Sequence, residues 1–529
     1  MSALPPAPAT PHAPAGVDPD VYERRWWILS VLVLSLVLVV AGNSSLNVAL
    51  PTLVRELGAT QTQLQWLVDA YALVFAGLLL PAGALGDRYG RKGALQFGLV
   101  VFGAAALAAS FADTPTQVIV LRALMGVGSA FVMPATLSLL TSAFPPGERA
   151  KAIAIWAGFA GAGGAIGTIS SGILLAHYGW GSVFLVNLPI VAVALVAGWR
   201  LVPTSRDSRR RPLDPVGSLL SVVGLGAVLF AIIEGPNLGW GSVEVVAGFV
   251  VGGLAIVVFG WWERRIEHPM LDLTWFRDRR FSAGASTITL AFFAMFGVFF
   301  LLTQYLQFVL GYSPLRAGLA SLPMAAAMIY SAPRSAGLVT RFGPRRVVTA
   351  GLLMFAVGLG SFALLSPTTP YVQIGVTLVV LGLGAGMVMP PSTGQIMSAM
   401  PLDKAGVGSA VNDTVREIGG ATGVAILGSN TTVAYRGGLA DVFAGAPTEI
   451  RTAAESSVAV ALQVAANAPD PVAAATAVKV AFTDGVGLAF VAAAVASLVN
   501  AVLVWRFAPR VASHHEIGTV PEPAPVPAA

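Results

Sequence analysis

Runs of about 20 apolar residues bounded by charges or Pro/Gly turns recur along almost the whole chain, and a bilayer core of about 30 Å needs one such run per helix. Six lie at Trp26 to Leu50, Gln63 to Leu85, Gly93 to Ala112, Gln117 to Leu140, Ala150 to Ala176 and Ser182 to Val202. Two more follow, Gly217 to Gly235 and Val243 to Trp262. The last six are Ser282 to Leu306, Arg316 to Val339, Val347 to Ser366, Tyr371 to Gly394, Lys404 to Ser429 and Asp484 to Trp505. The pattern predicts an all-α polytopic membrane protein with fourteen spans. The stretch 430–483 is Ala/Val-rich but broken by Arg436, Asp441, Glu449, Arg451, Glu455, Asp470 and Lys479, and reads as an extracytoplasmic loop.

Composition agrees with the pattern. Of 529 residues 56% are apolar and 11% charged, against about 25% charged in ordinary soluble proteins. The net charge of +5 does not indicate a nucleic-acid partner, because the basic residues sit at helix ends. With an N-terminus in the cytoplasm, 23 of the 31 Lys and Arg fall on the cytoplasmic side, 5 outside, and Arg122, Arg334 and Arg416 within spans. The positive-inside rule favours that orientation, with both termini cytoplasmic. Arg206, Arg209, Arg210 and Arg211, and then Arg277, Arg279 and Arg280, form its strongest basic clusters. The first span is too long for a signal-peptide core and reads as a retained helix. No cysteine is present, so disulfides and thiolate metal sites are excluded. The five histidines include His514 and His515 in a polar tail, which gives no metal cage. No metal, cofactor or enzymatic constellation is expected, since neither a nucleotide loop nor a Ser/His/Asp arrangement is found.

An internal repeat organises the spans. The segment from Gly126 (GVGSAFVMPATLSLLTSAFP) returns from Gly382 (GLGAGMVMPPSTGQIMSAMP), with Gly126/Gly382, Gly128/Gly384, Met133/Met389, Ser142/Ser398 and Pro145/Pro401 in register. A nearly equal offset relates Arg88-Tyr89-Gly90 to Arg341-Phe342-Gly343. The plan is six plus two plus six, two like-oriented halves with a site between them. Its parts are a tail at 1–25, a six-helix bundle at 26–202, basic linkers with a two-helix insertion at 203–280, a second bundle at 281–507 that carries the 430–483 loop, and a tail at 508–529.

Charges at bilayer depth cost several kcal/mol and point to function. Of 26 acids, Asp69, Asp413 and Glu417 lie well inside spans; Glu234 and Asp484 fall at outer ends, where the expected role is interfacial. Asp413 and Glu417 lie about 14 and 20 Å from the cytoplasmic end of their helix. Spaced i, i+4, they share a face, and two negative charges there repel by about 3 kcal/mol at an effective dielectric of 20. The pattern predicts that one of them holds a proton. Arg416, at i+3, can neutralise Asp413 and leave Glu417 as the titrating member. Asp69 and Arg122 enter from the outer face to similar depth and are expected to pair. Phe292, Phe293, Phe296, Phe299 and Phe300 form a stripe suited to lipophilic cations or to packing.

The segment Gly83-Ala84-Leu85-Gly86-Asp87-Arg88-Tyr89-Gly90-Arg91-Lys92 resembles the loop motif of the major facilitator superfamily, between spans two and three. Its glycines permit a tight turn and close helix approach, Asp87 can face a helix N-terminus or a cation, and Arg88, Arg91 and Lys92 hold the loop cytoplasmic. Together with fourteen spans and Asn47-Val48-Ala49-Leu50-Pro51, the chain is similar over nearly its whole length to the fourteen-helix drug:proton antiporters. The resemblance implies a major facilitator fold of two six-helix bundles plus a two-helix insertion. Arg122 matches the helix 4 arginine motif. Gly163, Gly167 and Gly172 match the helix 5 antiporter motif, but Thr168 replaces its usual Pro and Ser171 its usual Gly. Helix 1 reads Gly42-Asn43-Ser44-Ser45 where the family commonly has an acid.

The function implied is proton-coupled export of amphipathic or cationic drugs across the cytoplasmic membrane by alternating access. Its partners would be protons, small amphipathic substrates and the bilayer, and the protein would be monomeric. Export of a native lipid or metabolite is the alternative among transporters. A sensor or scaffold that moves nothing is the alternative of another class.

Overall fold

The computed structural model describes residues 18–59, 61–206, 212–439, 442–443 and 446–508; Arg209, Arg210, Arg211, His514 and His515 lie outside them. Among the described residues the secondary structure is helical throughout. The first half contains α1 (Pro19–Leu57), α2 (Gln61–Tyr89), α3 (Arg91–Ala109), α4 (Pro115–Ala143), α5 (Pro146–His177), and the short α6 (Ser182–Leu185) leading into α7 (Asn187–Leu201). The insertion is α8 (Pro215–Leu238) and α9 (Val243–Glu263). The second half contains α10 (Arg279–Gln304), α11 (Pro314–Ala320), α12 (Leu322–Phe342), α13 (Pro344–Phe362), α14 (Tyr371–Ser398), α15 (Ala405–Leu439), the short α16 (Thr448–Ser456) and α17 (Val458–Ala465), and α18 (Pro471–Phe507).

Helix starts follow local chemistry. Thr114 and Gln117 form a capping box ahead of α4, and Asp214, Ser242, Asp278 and Asp470 cap α8, α9, α10 and α18 with side-chain oxygens. Each such oxygen satisfies a backbone N–H that the helix leaves open. α15 and α18 extend beyond the spans read from sequence, so the connection between them is shorter than 430–483. It contains α16 and α17 and is tied to α15, where Tyr435 donates its hydroxyl proton to Ala454 O at 3.2 Å.

Among the described residues twelve helices, with α6 and α7 taken as one span, are long and apolar enough to cross a membrane, two fewer than the fourteen expected. The two that fall short are α12 and α15. α12 carries Arg334 and Arg341 among small residues, and α15 carries Asn412, Asp413, Arg416 and Glu417. Both still pack inside the bundle. α12 lies against α14 and α5, and α15 against α10, α18, α2 and α4.

The repeat is visible in space. α4 packs on α2 and α3 as α14 packs on α12 and α13. A Cβ on Gly128 would lie 2.7 Å from Gly98 O, and one on Gly384 would lie 2.8 Å from Gly351 O. The same glycine pair brings two helix backbones together in each half, which is why these positions recur. The halves meet along α5 with α12 and α14, and along α15 with α2 and α4. The insertion is peripheral: α8 and α9 are each only 28% buried within the protein. α8 lies against both α2 and α15, and α9 lies behind α8.

Candidate functional site

At one end of the bundle, the 83–92 segment grips the second half. Asp87 Oδ1 accepts from Gly406 N at 2.9 Å and Oδ2 from Val407 N at 3.0 Å, so its carboxylate caps the N-terminus of α15. Arg91 donates Nε to Asp87 Oδ1 at 2.8 Å, Nη2 to Leu402 O at 2.6 Å and Nη1 to Ser205 Oγ at 2.9 Å. Gly83 is required here, because a Cβ would come within 2.6 Å of Gly406 O. Gly90 turns the chain at a φ of 124°. Lys92 donates to Trp199 O at 2.6 Å, and Arg88 stacks on Tyr89. Since α2 and α15 belong to different halves, this end of the bundle is closed.

The middle of α15 holds the expected acidic pair. Arg416 Nη1 lies 3.1 Å from Asp413 Oδ1, an i, i+3 ion pair with both side chains buried. Asn412 Oδ1 accepts from Thr393 Oγ1 of α14 at 3.1 Å, and Asn412 Nδ2 donates to Asp413 Oδ1 at 3.3 Å. Asp413 Oδ2 is buried without a hydrogen-bond partner. The Arg416 guanidinium lies 4.6 Å from the Phe292 ring of α10 and 5.6 Å from the Trp156 ring of α5. A cation over aromatic faces from both halves is held where a rigid-body motion would part them. Glu417 is only half-buried and has no ion pair among the described residues. Of the Phe stripe, Phe292 alone has Arg416 over its ring; Phe296 and Phe300 are exposed, and Phe293 and Phe299 are partly buried.

The expected pairing of Asp69 with Arg122 is not formed. Arg122 is fully buried, donates Nε to Leu67 O at 3.0 Å and Nη2 to Asn43 Oδ1 at 3.0 Å, and lies 4.2 Å over the Tyr71 ring. The reason is helical phase. Leu67 and Tyr71 share one face of α2, whereas Asp69, two residues from each, points to nearly the opposite side. Asp69 Oδ2 is buried and unpartnered, and its charged neighbour is Glu234 of α8. A double-mutant cycle of Asp69→Asn and Arg122→Gln is therefore expected to be additive in unfolding free energy to within about 0.5 kcal/mol; a larger coupling would show that the two interact.

Asn43, in the Gly42-Asn43-Ser44-Ser45 stretch of α1, serves as a neutral acceptor for Arg122. On α5, Gly163 faces Val40, Gly172 faces Leu315 of α11, and a Cβ on Gly167 would lie 2.3 Å from Ala41 O of α1. The two departures are accommodated: Ser171 Oγ donates to Ser45 O at 2.7 Å, and Thr168 packs against Gly318 of α11.

Sequence reasoning did not single out Tyr71, Trp156, Thr393 or Gln65. Tyr71 donates to Ser129 Oγ at 2.9 Å, Trp156 donates to Thr136 Oγ1 at 3.2 Å, and Gln65 donates to Glu234 Oε2 at 3.1 Å. A polar or aromatic residue at i±4 from a buried charge on the same face was the available signal for Gln65, four before Asp69.

Residues 32–424 match the sequence model of the Major Facilitator Superfamily. The chain is 37% identical over 488 residues to the multidrug efflux pump LfrA of Mycolicibacterium smegmatis, covering 91% of this chain and 96% of that protein. It is 36% identical over 440 residues to the puromycin resistance protein pur8 of Streptomyces alboniger, covering 82% and 86% respectively. Among solved structures, the proton:xylose symporter XylE superimposes with a TM-score of 0.59 at 13% identity, over 92% of this chain and 96% of that one. That likeness concerns the fold.

Proposed function

The chain belongs to the major facilitator superfamily, a family of transporters, and on that premise we propose that it exports amphipathic, chiefly cationic drugs in exchange for protons. The observation that carries this reading is the Asp413–Arg416–Glu417 group on α15. It lies between the halves, with Arg416 held over aromatic rings of both. The names of the relatives, a multidrug efflux pump and a resistance protein, support export of drugs.

In this reading α12 and α15 also cross the bilayer, which gives fourteen spans in a cytoplasmic membrane, and the protein works as a monomer. The charges of α15 are tolerated because Asp413 and Arg416 are buried against one another, whereas the exposed Arg334 of α12 lies over the Tyr330 ring and donates to Tyr330 O. Asp413 and Glu417 exchange protons or receive the substrate cation, Arg416 sets their charge state, and Asp69 and Arg122 act in the first half. In this reading the end closed by the Asp87 contact is the cytoplasmic one. The α5 glycines carry the sliding contacts of α5 with α1 and α11.

A pH gradient imposed on inside-out vesicles, with uptake followed across a panel of compounds, tests the function. Uptake of lipophilic cations that collapses with the gradient is expected. Gradient-driven uptake restricted to lipids or metabolites, or no uptake of any compound, would overturn it. Orientation is read separately. Since the chain has no cysteine, a membrane-impermeant maleimide should label Glu449→Cys, but not Glu267→Cys, in intact cells, and the opposite pattern would invert the topology.

A further inference from the structure

α2 presents two functional faces. One, through Leu67 and Tyr71, receives Arg122. The other, through Gln65 and Asp69 at i, i+4, turns to the insertion helix α8. Along that seam Trp66 and Phe230 stack with ring centroids 6.5 Å apart and an interplanar angle of 27°. Further along, a Cβ on Gly77 would lie 3.6 Å from Val222 O. The two helices therefore run antiparallel, with Gln65 level with Glu234 and Asp69 about one turn deeper.

Two carboxylates meet there. Asp69 is 8% and Glu234 6% exposed, and Asp69 lies one helical turn from Gln65, the residue that bonds Glu234. Glu234 Oε2 accepts from Gln65 at 3.1 Å, while Asp69 Oδ2 is buried with no hydrogen-bond partner. Among the described residues no ion pair joins either carboxylate. Arg122 of α4 donates to Leu67 O and Asn43 Oδ1 and lies over Tyr71, with its Nη1 buried and unpartnered. α1 contributes the neutral Asn43, α15 contributes the acid Glu417 and Arg416, which is paired with Asp413, and the Arg91 and Lys92 cations of α3 lie at the far end of the bundle. α8 lies against both α2 and α15, and so covers the lateral junction of the two halves.

We propose that Asp69, Glu234 and Gln65 form an outer cation subsite on this lateral seam, which takes the positively charged nitrogen of an amphipathic substrate on its way to the outer leaflet. The Trp66–Phe230 pair beside it offers an apolar, π-rich surface for the rest of such a molecule. The unpartnered Asp69 oxygen is the position such a charge would satisfy, and a buried acceptor left unmade is costly. The insertion then contributes a residue to the transport route as well as filling the seam. This inference rests on the export reading.

The test uses the full-length protein. Glu234→Gln keeps an acceptor for Gln65 and removes the charge. In proteoliposomes the variant is expected to raise the KM for ethidium by about tenfold, the loss of one charged contact, and to leave the KM for an uncharged amphiphile carried by the wild type unchanged. Glu234→Asp should recover most of the ethidium effect. Ethidium binding to purified protein, read by fluorescence polarisation, should weaken in parallel. An unchanged ethidium KM and binding in Glu234→Gln, or equal losses for charged and uncharged compounds, would overturn the subsite. If the wild type moves no lipophilic cation, ethidium included, the export reading falls, and the binding measurement still decides the subsite.

Discussion

Glu417→Gln is expected to lower proton-driven efflux by at least about tenfold, equivalent to 1.4 kcal/mol of lost coupling, while the protein remains folded. The substitution is nearly isosteric and leaves the Asp413–Arg416 pair at 3.1 Å untouched. Asp413→Asn differs. It strips the buried Arg416 of its carboxylate partner, and breaking a buried pair from one side costs about 3–5 kcal/mol. That variant is expected to lose both activity and yield. The charge-neutral double variant Asp413→Asn with Arg416→Gln separates the roles. If the pair only braces α15, the double variant should transport at nearly the wild-type rate; if Asp413 takes part in coupling, it should fold and remain inactive. Efflux from energised vesicles and size-exclusion yield in detergent measure the two quantities independently. Wild-type efflux by both Glu417→Gln and the double variant would remove α15 from the coupling mechanism.

The parts of this site that were legible in the sequence are those whose partners lie within a turn of the same helix. Asp413, Arg416 and Glu417 are fixed relative to one another by helical spacing, so their ion pair followed from the numbers i, i+3 and i, i+4. Asp87 was legible for another reason, since a carboxylate beside glycines at a helix end suits the open N–H groups of a second helix; which helix it caps, α15, needed the fold. The Asp69–Arg122 pairing failed because depth was compared without phase. Equal depth places two side chains on one plane of the bilayer, but Leu67 and Tyr71 carry the α4 face of α2 and Asp69 carries the α8 face. Glu234 is read at an outer helix end from its own helix alone, and its bond from Gln65 of α2 needed the fold. Among the described residues the span count fell short at α12 and α15. α15 is polar because it bears the buried charges, and a hydropathy criterion reads those charges as evidence against crossing.

Asp87→Asn is expected to shift the protein away from closure at the cytoplasmic end while leaving substrate preference intact. The Asp87 carboxylate accepts two backbone N–H groups of α15 and, within its own half, the Arg91 guanidinium, and the two contacts with α15 join the halves only while that end is shut. Hydrogen bonds to a charged group contribute about 1.5–3 kcal/mol each, and a neutral amide keeps only part of this. A net loss of about 1.4 kcal/mol would reduce the closed population relative to the open one by tenfold. Asp69, Asp413 and Glu417 lie deeper in the bundle, so the groups proposed to meet substrate are unchanged. Arg91 would keep Leu402 O and Ser205 Oγ as acceptors, which limits the damage to the latch and spares the fold. Spin labels at the exposed Tyr89 and Leu402, on opposite halves, should report longer distances in the variant. Turnover should fall for every compound by a similar factor, with KM values keeping their wild-type order. Loss of one compound alone, with an unchanged label distance, would show that Asp87 contacts substrate and is not a latch.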